Sequence, residues 1–333
     1  MVKENDFLSV RDLVVEYTSD GQIIHAVNKV SFDLERGKTL GLVGETGAGK
    51  TSIAKAILRI LPDPPAKITG GKIFLNEQEL LGLPEQDMRK LRGQEIAMIF
   101  QDPMTALNPV KRVIDQIAEG ILVHKKVTKA AANEQAATML KKVGIAAERA
   151  TEYPHQFSGG MKQRVVIAMA LACDPKLLLA DEPTTALDVT IQAQVLDMIS
   201  QLKEEFHTSM IMITHDLGIV ADTCDDVAVI YAGEVIEIGK KESVFRNPSH
   251  PYTKGLFGAL PDLSKNVKRL HPIEGAPADP TNLPDGCCFH PRCPHVTDEC
   301  RQGSRELVSV NGNDHFVRCS QAAVREGASC LRW

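Results

Sequence analysis

Gly44, then four residues, then Gly49-Lys50-Thr51 stand between an apolar run, LGLV, and a helix-forming run, SIAKAILRIL. This is the spacing of a phosphate-binding loop. In such a loop residues 44–52 (Gly44, Glu45, Thr46, Gly47, Ala48, Gly49, Lys50, Thr51 and Ser52) turn backbone N–H groups inward around phosphate oxygens and end at the positive N-terminus of a helix. Lys50 is expected to bridge the β- and γ-phosphates of a nucleoside triphosphate, and the Thr51 hydroxyl to ligate Mg2+. Further on, Asp181 and Glu182 close the apolar run LLLA, at the carboxyl edge where open α/β sheets bind ligands. Alone, an Asp-Glu pair after a strand is a solvated turn. With a phosphate loop in the same chain, Asp181 is expected to hold magnesium through its water shell and Glu182 to polarise an attacking water. A third cluster lies in the tail, where Cys287, Cys293, Cys300 and Cys319 are separated by five, six and 18 residues. Clustered thiols in a reducing cytosol favour metal over disulfides. The spacing lacks the paired C-x2-C knuckles of common zinc sites, and Cys288, His290 and His295 are competing ligands.

The elements needed to position these residues are readable too. Up to about Leu260 the runs KTLGLVG, AMIFQ, KLLLADE and SMIMITHD alternate with helical periodicity, the pattern of buried strands in an α/β domain. Six of the eight Cys fall between Cys287 and Cys330, and nine of the 18 Pro between Pro248 and Pro294. A segment of about 70 residues so punctuated needs a metal, a disulfide or a docking surface to hold itself together. The expected fold is therefore a three-layer α/β P-loop core with an N-terminal antiparallel β subdomain, a helical insertion over about 102–161 and a small Cys-rich C-terminal domain. The corresponding division is 1–260 for the nucleotide-binding part and 261–333 for the tail.

Composition narrows the function. The formal net charge of -5 gives no global positive field for nucleic acid or anionic lipid. The longest uninterrupted apolar run, Val165 to Cys173, is far short of a spanning helix, which needs about 20 residues. The start, MVKENDFLSVRD, lacks an apolar signal region, so a cytoplasmic place is expected.

Between the phosphate loop and the acidic pair runs TEYPHQFSGGMKQRVVIAMALACDP, and this stretch resembles the signature segment of ATP-binding cassette (ABC) ATPases. Physically it is a second anion site, with the Ser158 hydroxyl and the amides of Gly159 and Gly160 heading a helix. Other positions fit the same resemblance: Gln101 as the Q-loop glutamine, Ala186-Leu187-Asp188 as the D-loop, His215 as the switch histidine, and Tyr17 as the aromatic that stacks on adenine. Over residues 10–260 the chain is similar in detail to the ATPase subunits of dipeptide and oligopeptide importers, through FQDPMTALNP, YPHQFSGGMKQR and VFRNPSHPYTKGL. Phe157 and Met161 stand where the general pattern has Leu and Gln, as in that branch.

The resemblance implies an ATP site built between two subunits, with Ser158 and Gly160 acting in trans. Tyr17, residues 44–52, Gln101, Asp181, Glu182 and His215 act in cis. It implies ATP and Mg2+ as cofactors, with Thr51, Gln101 and Asp181 around the metal and Glu182, His215 and Gln101 as the catalytic set. It implies ATP-driven closure and hydrolysis-driven reopening of the pair, passed through Asp102 to Asn108 to membrane-spanning permease subunits on the cytoplasmic face of the membrane. The second ATPase subunit would be identical or homologous, and an extracytoplasmic peptide-binding protein would take part indirectly. The tail resembles the C-terminal domain of these ATPases, some of which bind a [4Fe-4S] cluster through four cysteines. That implies Cys287, Cys293, Cys300 and Cys319 as its ligands, with zinc or unliganded thiols as the alternatives, and no role for Cys173, Cys224 or Cys330. Two other functions are carried alongside: the ATPase of a nickel importer, and a soluble ABC ATPase on nucleic acid or ribosomes. The single cassette and the lack of a long basic block argue against the latter, so no nucleic-acid partner is expected.

Overall fold

A computed structural model describes residues 6–185, 187–259, 272–302, 306–310 and 314–322. The chain divides into two compact units: Met1–Glu35, Thr39–Leu81 and Thr214–Trp333 form one, Arg36–Lys38 and Gly82–Ile213 the other. The expected boundary near residue 260, Ala186 of the D-loop and Cys330 lie outside the described residues.

In the first unit, long strands β1 (Asp6–Ser19) and β2 (Gln22–Glu35) pair antiparallel, and β4 (Ala66–Leu75) and β5 (Gln78–Glu79) extend them into a sheet of order β2-β1-β4-β5. Register shifts bend β1 between Val10 and Leu13, as bulges do. A second set of strands leads into residues 44–52: β3 (Thr39–Val43) runs parallel to β9 (Asp226–Tyr231), which pairs antiparallel with β10 (Glu234–Lys240). All five residues of β3 are buried, which is why TLGLV reads as a continuous apolar run rather than an alternating one. The described tail does not stand apart. Its strands β11 (Val308–Ser309) and β12 (His315–Val317) continue this sheet antiparallel from β10. Around these strands lie α1 (Lys50–Ile57), α8 (Leu217–Thr223), α9 (Lys241–Arg246), α10 (Pro251–Gly258) and α11 (Asp298–Gln302).

The second unit has three parallel, buried strands, β6 (Ile96–Ile99), β7 (Leu177–Asp181) and β8 (Ser209–Ile213), with β7 in the middle. Its helices are α2 (Glu85–Leu91), α3 (Pro103–Ala106), α4 (Val113–His124), α5 (Lys129–Lys142), α6 (Gly159–Leu171) and α7 (Val189–Glu205). Their starts follow from side chains that accept orphan N–H groups: Asp102 for α3, Thr128 for α5, Ser158 for α6 and Asp188 for α7. Among the described residues no helix is long and apolar enough to cross a membrane.

Candidate nucleotide site

The loop after β3 is shaped by two glycines. Gly44 and Gly49 have φ of 153° and 101°, and a Cβ at either would strike a backbone carbonyl, Ile230 O or Ala26 O. No other residue type fits there without moving a strand. Lys50 is 7% exposed, and its Nζ donates to Gly44 O at 2.7 Å and Glu45 O at 2.9 Å, so the ammonium lies under the loop. The start of α1 has no side-chain hydrogen bond from its cap residue Gly49 and no acidic residue in its first turn, so no carboxylate of that turn offsets the helix's positive end. Thr46 and Gly47 are exposed at the loop's crest, while Thr51 and Ser52 are half-buried in the first turn of α1. Tyr17 reaches that turn, its hydroxyl 3.0 Å from Ser52 Oγ. These features are the ones expected of a phosphate-binding loop. His215, in the same unit, is exposed in the turn that Thr214 N–H attaches to Leu42 O of β3 at 3.4 Å.

In the second unit β7 delivers Asp181, 3% exposed, and then Glu182. Glu182 has a φ of 47°, a left-handed conformation rare for this residue type. Its N–H donates to Ile213 O at 2.8 Å, and its Oε2 accepts from Gln101 Nε2 at 2.7 Å and Thr185 Oγ1 at 2.9 Å. Two of the sequence-predicted residues, Gln101 and Glu182, are thus brought together. The Gln101 amide expected at magnesium is here engaged with the carboxylate. Thr185 carries no motif spacing that would have singled it out.

The signature segment heads α6. Ser158 is exposed and its Oγ accepts from Met161 N–H at 3.4 Å. Gly159 is exposed, and a Cβ on Gly160 would stand 2.7 Å from Ile191 Cγ2 of α7. Phe157 is buried under the Arg149 guanidinium, whose Nη1 lies 3.1 Å from Met161 Sδ. Buried Gln163 donates to Pro183 O at 2.6 Å, so α6 is tied to the loop that carries Glu182. Asp188 caps α7 through Ile191 N–H at 3.0 Å.

Cys287, Cys293, Cys300 and Cys319 line one cavity of about 30 Å³, with His290 and His295 beside them. Burial, then the neighbouring thiols, push the Cys287 thiol up to about 11, and burial raises Cys293 as well. Burial also acts on Cys300, but hydrogen bonds from Thr297 and Ser320 outweigh it and lower that thiol. Among the described residues no group of three or more His, Cys, Asp or Glu is close enough to hold a single metal ion. Neither the expected [4Fe-4S] cluster nor the zinc alternative therefore finds support in the geometry of the described residues. Buried Cys173 and Cys224 stand elsewhere.

The family pattern for ABC transporters matches residues 27–185, and that for the oligopeptide/dipeptide transporter C-terminal region matches residues 236–300. The chain is 49% identical over 317 residues to a dipeptide transport ATP-binding protein of Bacillus subtilis, covering 94% of this chain and 93% of the relative. It is also 49% identical over 298 residues to an oligopeptide transport ATP-binding protein of Salmonella typhimurium, covering 89% and 88%. In fold it is similar to MJ0796, a bacterial ABC transporter cassette solved as a dimer, with a TM-score of 0.63 and 24% identity over 70% of this chain and 98% of that one. The chain belongs to the ATP-binding subunits of ABC transporters, in the branch that carries the oligopeptide/dipeptide C-terminal region. It is an ATPase subunit with the P-loop cassette fold.

Proposed function

We propose that this chain binds MgATP on the loop after β3 and hydrolyses it to drive import of di- or oligopeptides through a membrane permease. The observation that carries hydrolysis is Glu182, held in a left-handed conformation at the end of β7 with its carboxylate fixed by Gln101 and Thr185. The peptide cargo rests on the 49% identity to the dipeptide and oligopeptide transport proteins.

Bound Mg2+ would neutralise phosphate charge as it builds in the transition state. The Thr51 hydroxyl and the buried Asp181 carboxylate are hard oxygen donors suited to it, and Gln101 is a third. Lys50 sits under the loop to meet the terminal phosphates, Tyr17 stacks on adenine, and the amides of residues 44–52 cradle the phosphate oxygens. Glu182 accepts a proton from the attacking water, and His215 steadies the developing charge. Ser158, Gly159 and Gly160 present their helix start to the nucleotide of a second, identical or homologous, ATPase subunit. Closure of that pair shields the reacting phosphate from water, which strengthens every polar contact to it.

Phe100, Met104 and Val110 are exposed apolar side chains on and around the segment 102–108, the chemistry expected of a surface that meets permease subunits at the cytoplasmic face of the membrane. The division into a cassette, 1–260, and a C-terminal domain, 261–333, belongs to the same reading. The tail thiols are read as ligands of a [4Fe-4S] cluster from their number rather than their distances, since four cysteines line one cavity and such a cluster takes four thiolates.

The test is affinity purification from membranes followed by ATP-driven uptake of a labelled dipeptide in vesicles. Permease subunits and a second ATPase should co-purify, and uptake should vanish in Glu182→Gln. Uptake of nickel without peptide, or recovery of RNA without a permease, would overturn the cargo.

A further inference from the structure

The phosphate loop has an anchor in the tail that no motif marks. Glu45 follows Gly44, and all of its polar groups are engaged. Its N–H donates to Tyr252 Oη at 2.9 Å, its carbonyl accepts from Lys50 Nζ at 2.9 Å, and its carboxylate takes both terminal nitrogens of Arg292, Nη1 at 2.8 Å and Nη2 at 3.1 Å. The Arg292 side chain is 4% exposed, against 29% for Glu45. It is itself pinned: Nε donates to Glu274 O at 3.1 Å, Nη2 to Ile273 O at 3.3 Å, and the rings of Tyr231 and Phe289 each lie 5.8 Å from its guanidinium carbon.

We propose that Arg292 is a positioning residue of the nucleotide site, which holds the phosphate loop in its binding conformation through a two-pronged grip on Glu45. The proposal rests on the reading of residues 44–52 as the ATP site. Two physical effects support it. First, a glycine-rich loop must be ordered before it can cradle phosphate, and a rigid guanidinium fork fixed at the back of the loop meets that cost before the nucleotide arrives. Second, a carboxylate next to a phosphate cradle repels the ligand, and the paired guanidinium cancels that charge. The fork does not swing freely, because its remaining donors and the Phe289 ring bind it to the tail while Tyr231 of β9 flanks it as well. An exposed ion pair would carry little of this weight, but the near-complete burial of Arg292 sets this one apart.

The experiment measures MgATP dissociation constants, ATPase kinetics and melting temperature on the full chain, purified anaerobically with its tail site as isolated. Arg292→Gln should raise Kd about tenfold, and the double variant with Glu45→Gln should be no weaker than the weaker single, because the two residues act as one unit. KM for ATP should rise alongside while kcat stays within about threefold, the signature of lost binding rather than lost chemistry. Arg292→Lys, which keeps charge without the fork, should fall between parent and Arg292→Gln. If Arg292→Gln does not fold, the near-isosteric Glu45→Gln decides alone, and a raised Kd in it supports the grip. Folded variants with Kd within about twofold of the parent, or effects that simply add, overturn the proposal. Lys50→Ala separates the two levels. If it weakens ATP binding while Arg292→Gln does not, the proposal alone falls; if it leaves binding intact, the phosphate-site reading falls as well.

Discussion

Glu182 stores strain where chemistry is expected. A non-glycine residue in the left-handed region costs about 1–3 kcal/mol, and the Glu182 backbone is kept there by the bond from its N–H to Ile213 O. The result is a carboxylate aimed by two neutral donors, Gln101 and Thr185, neither of which cancels its charge. Glu182→Gln keeps the size and loses the proposed base, so kcat should fall by about 10²–10⁴ while MgATP affinity stays within a few-fold. Single-turnover hydrolysis and equilibrium binding check this, and near-normal turnover would remove Glu182 from the role. Thr185→Val leaves the base but frees one side of it. A loss in kcat of about tenfold with KM unchanged is expected, since positioning acts on the transition state. Both acids of this site were legible from their place after an apolar run. Thr185 was not, because its contact depends on the turn that brings residue 185 back onto residue 182, and no sequence period encodes that turn.

The element scale explains residues whose motif status hides a packing task. Gly160 belongs to the signature, yet it also lets the start of α6 approach α7, where a Cβ would meet Ile191 Cγ2 at 2.7 Å. Gly160→Ala should therefore destabilise the protein by about 1–3 kcal/mol through overpacking, and Ile191→Ala in the same chain should recover part of that loss. Urea unfolding of the singles and the double checks it, and an unchanged midpoint for Gly160→Ala would show that the helices can part freely. The helix starts were readable because Asp102, Thr128, Ser158 and Asp188 are good caps. The start of α10 is different: its cap is His250, whose Nδ1 accepts from Tyr252 N–H at 3.0 Å. Burial depresses this imidazole to about 4, against the pull of buried Glu237. The unfolded chain, with an ordinary histidine near 6.5, then binds a proton that the folded chain refuses. Stability is full above pH 6.5 and declines as pH falls toward 4, by about 3 kcal/mol once both forms are charged. His250→Asn keeps an acceptor at the cap and removes the titration, so the slope of stability against pH between those limits should flatten; an unchanged slope would assign it to other groups.

At the scale of the chain, the described part of the tail is built into the unit that carries residues 44–52. β12 extends the sheet from β10, and Glu237 of β10 binds His315 Nε2 at 2.7 Å as well as the N–H groups of Ser249 and His250. The ring of Phe289 packs against Tyr231, Tyr252 and His250 while Phe289 also lines the thiol cavity. The sequence marked this tail as short of core and in need of support, but not where support comes from, because contacts 247 residues apart such as Glu45 with Arg292 leave no local trace. A consequence follows for the thiols. Cys293 is the next residue after Arg292, and Cys287 N–H is bound to Cys300 O at 2.8 Å, so the backbone bearing the guanidinium is set by the same turn that gathers the cysteines. If the four thiolates hold a [4Fe-4S] cluster, as proposed, Cys293→Ser removes one of its four ligands, and a site that gains folding free energy from all four should loosen. Anaerobically purified parent protein should absorb at the blue end of the visible spectrum, and Cys293→Ser should lose that absorbance together with part of its affinity for MgATP. A colourless parent with one zinc per chain would exclude the iron-sulfur reading. An ATP affinity unchanged after loss of the colour would mean that the turn around Arg292 holds its shape without the metal, and that the loop is braced by the ring cluster alone.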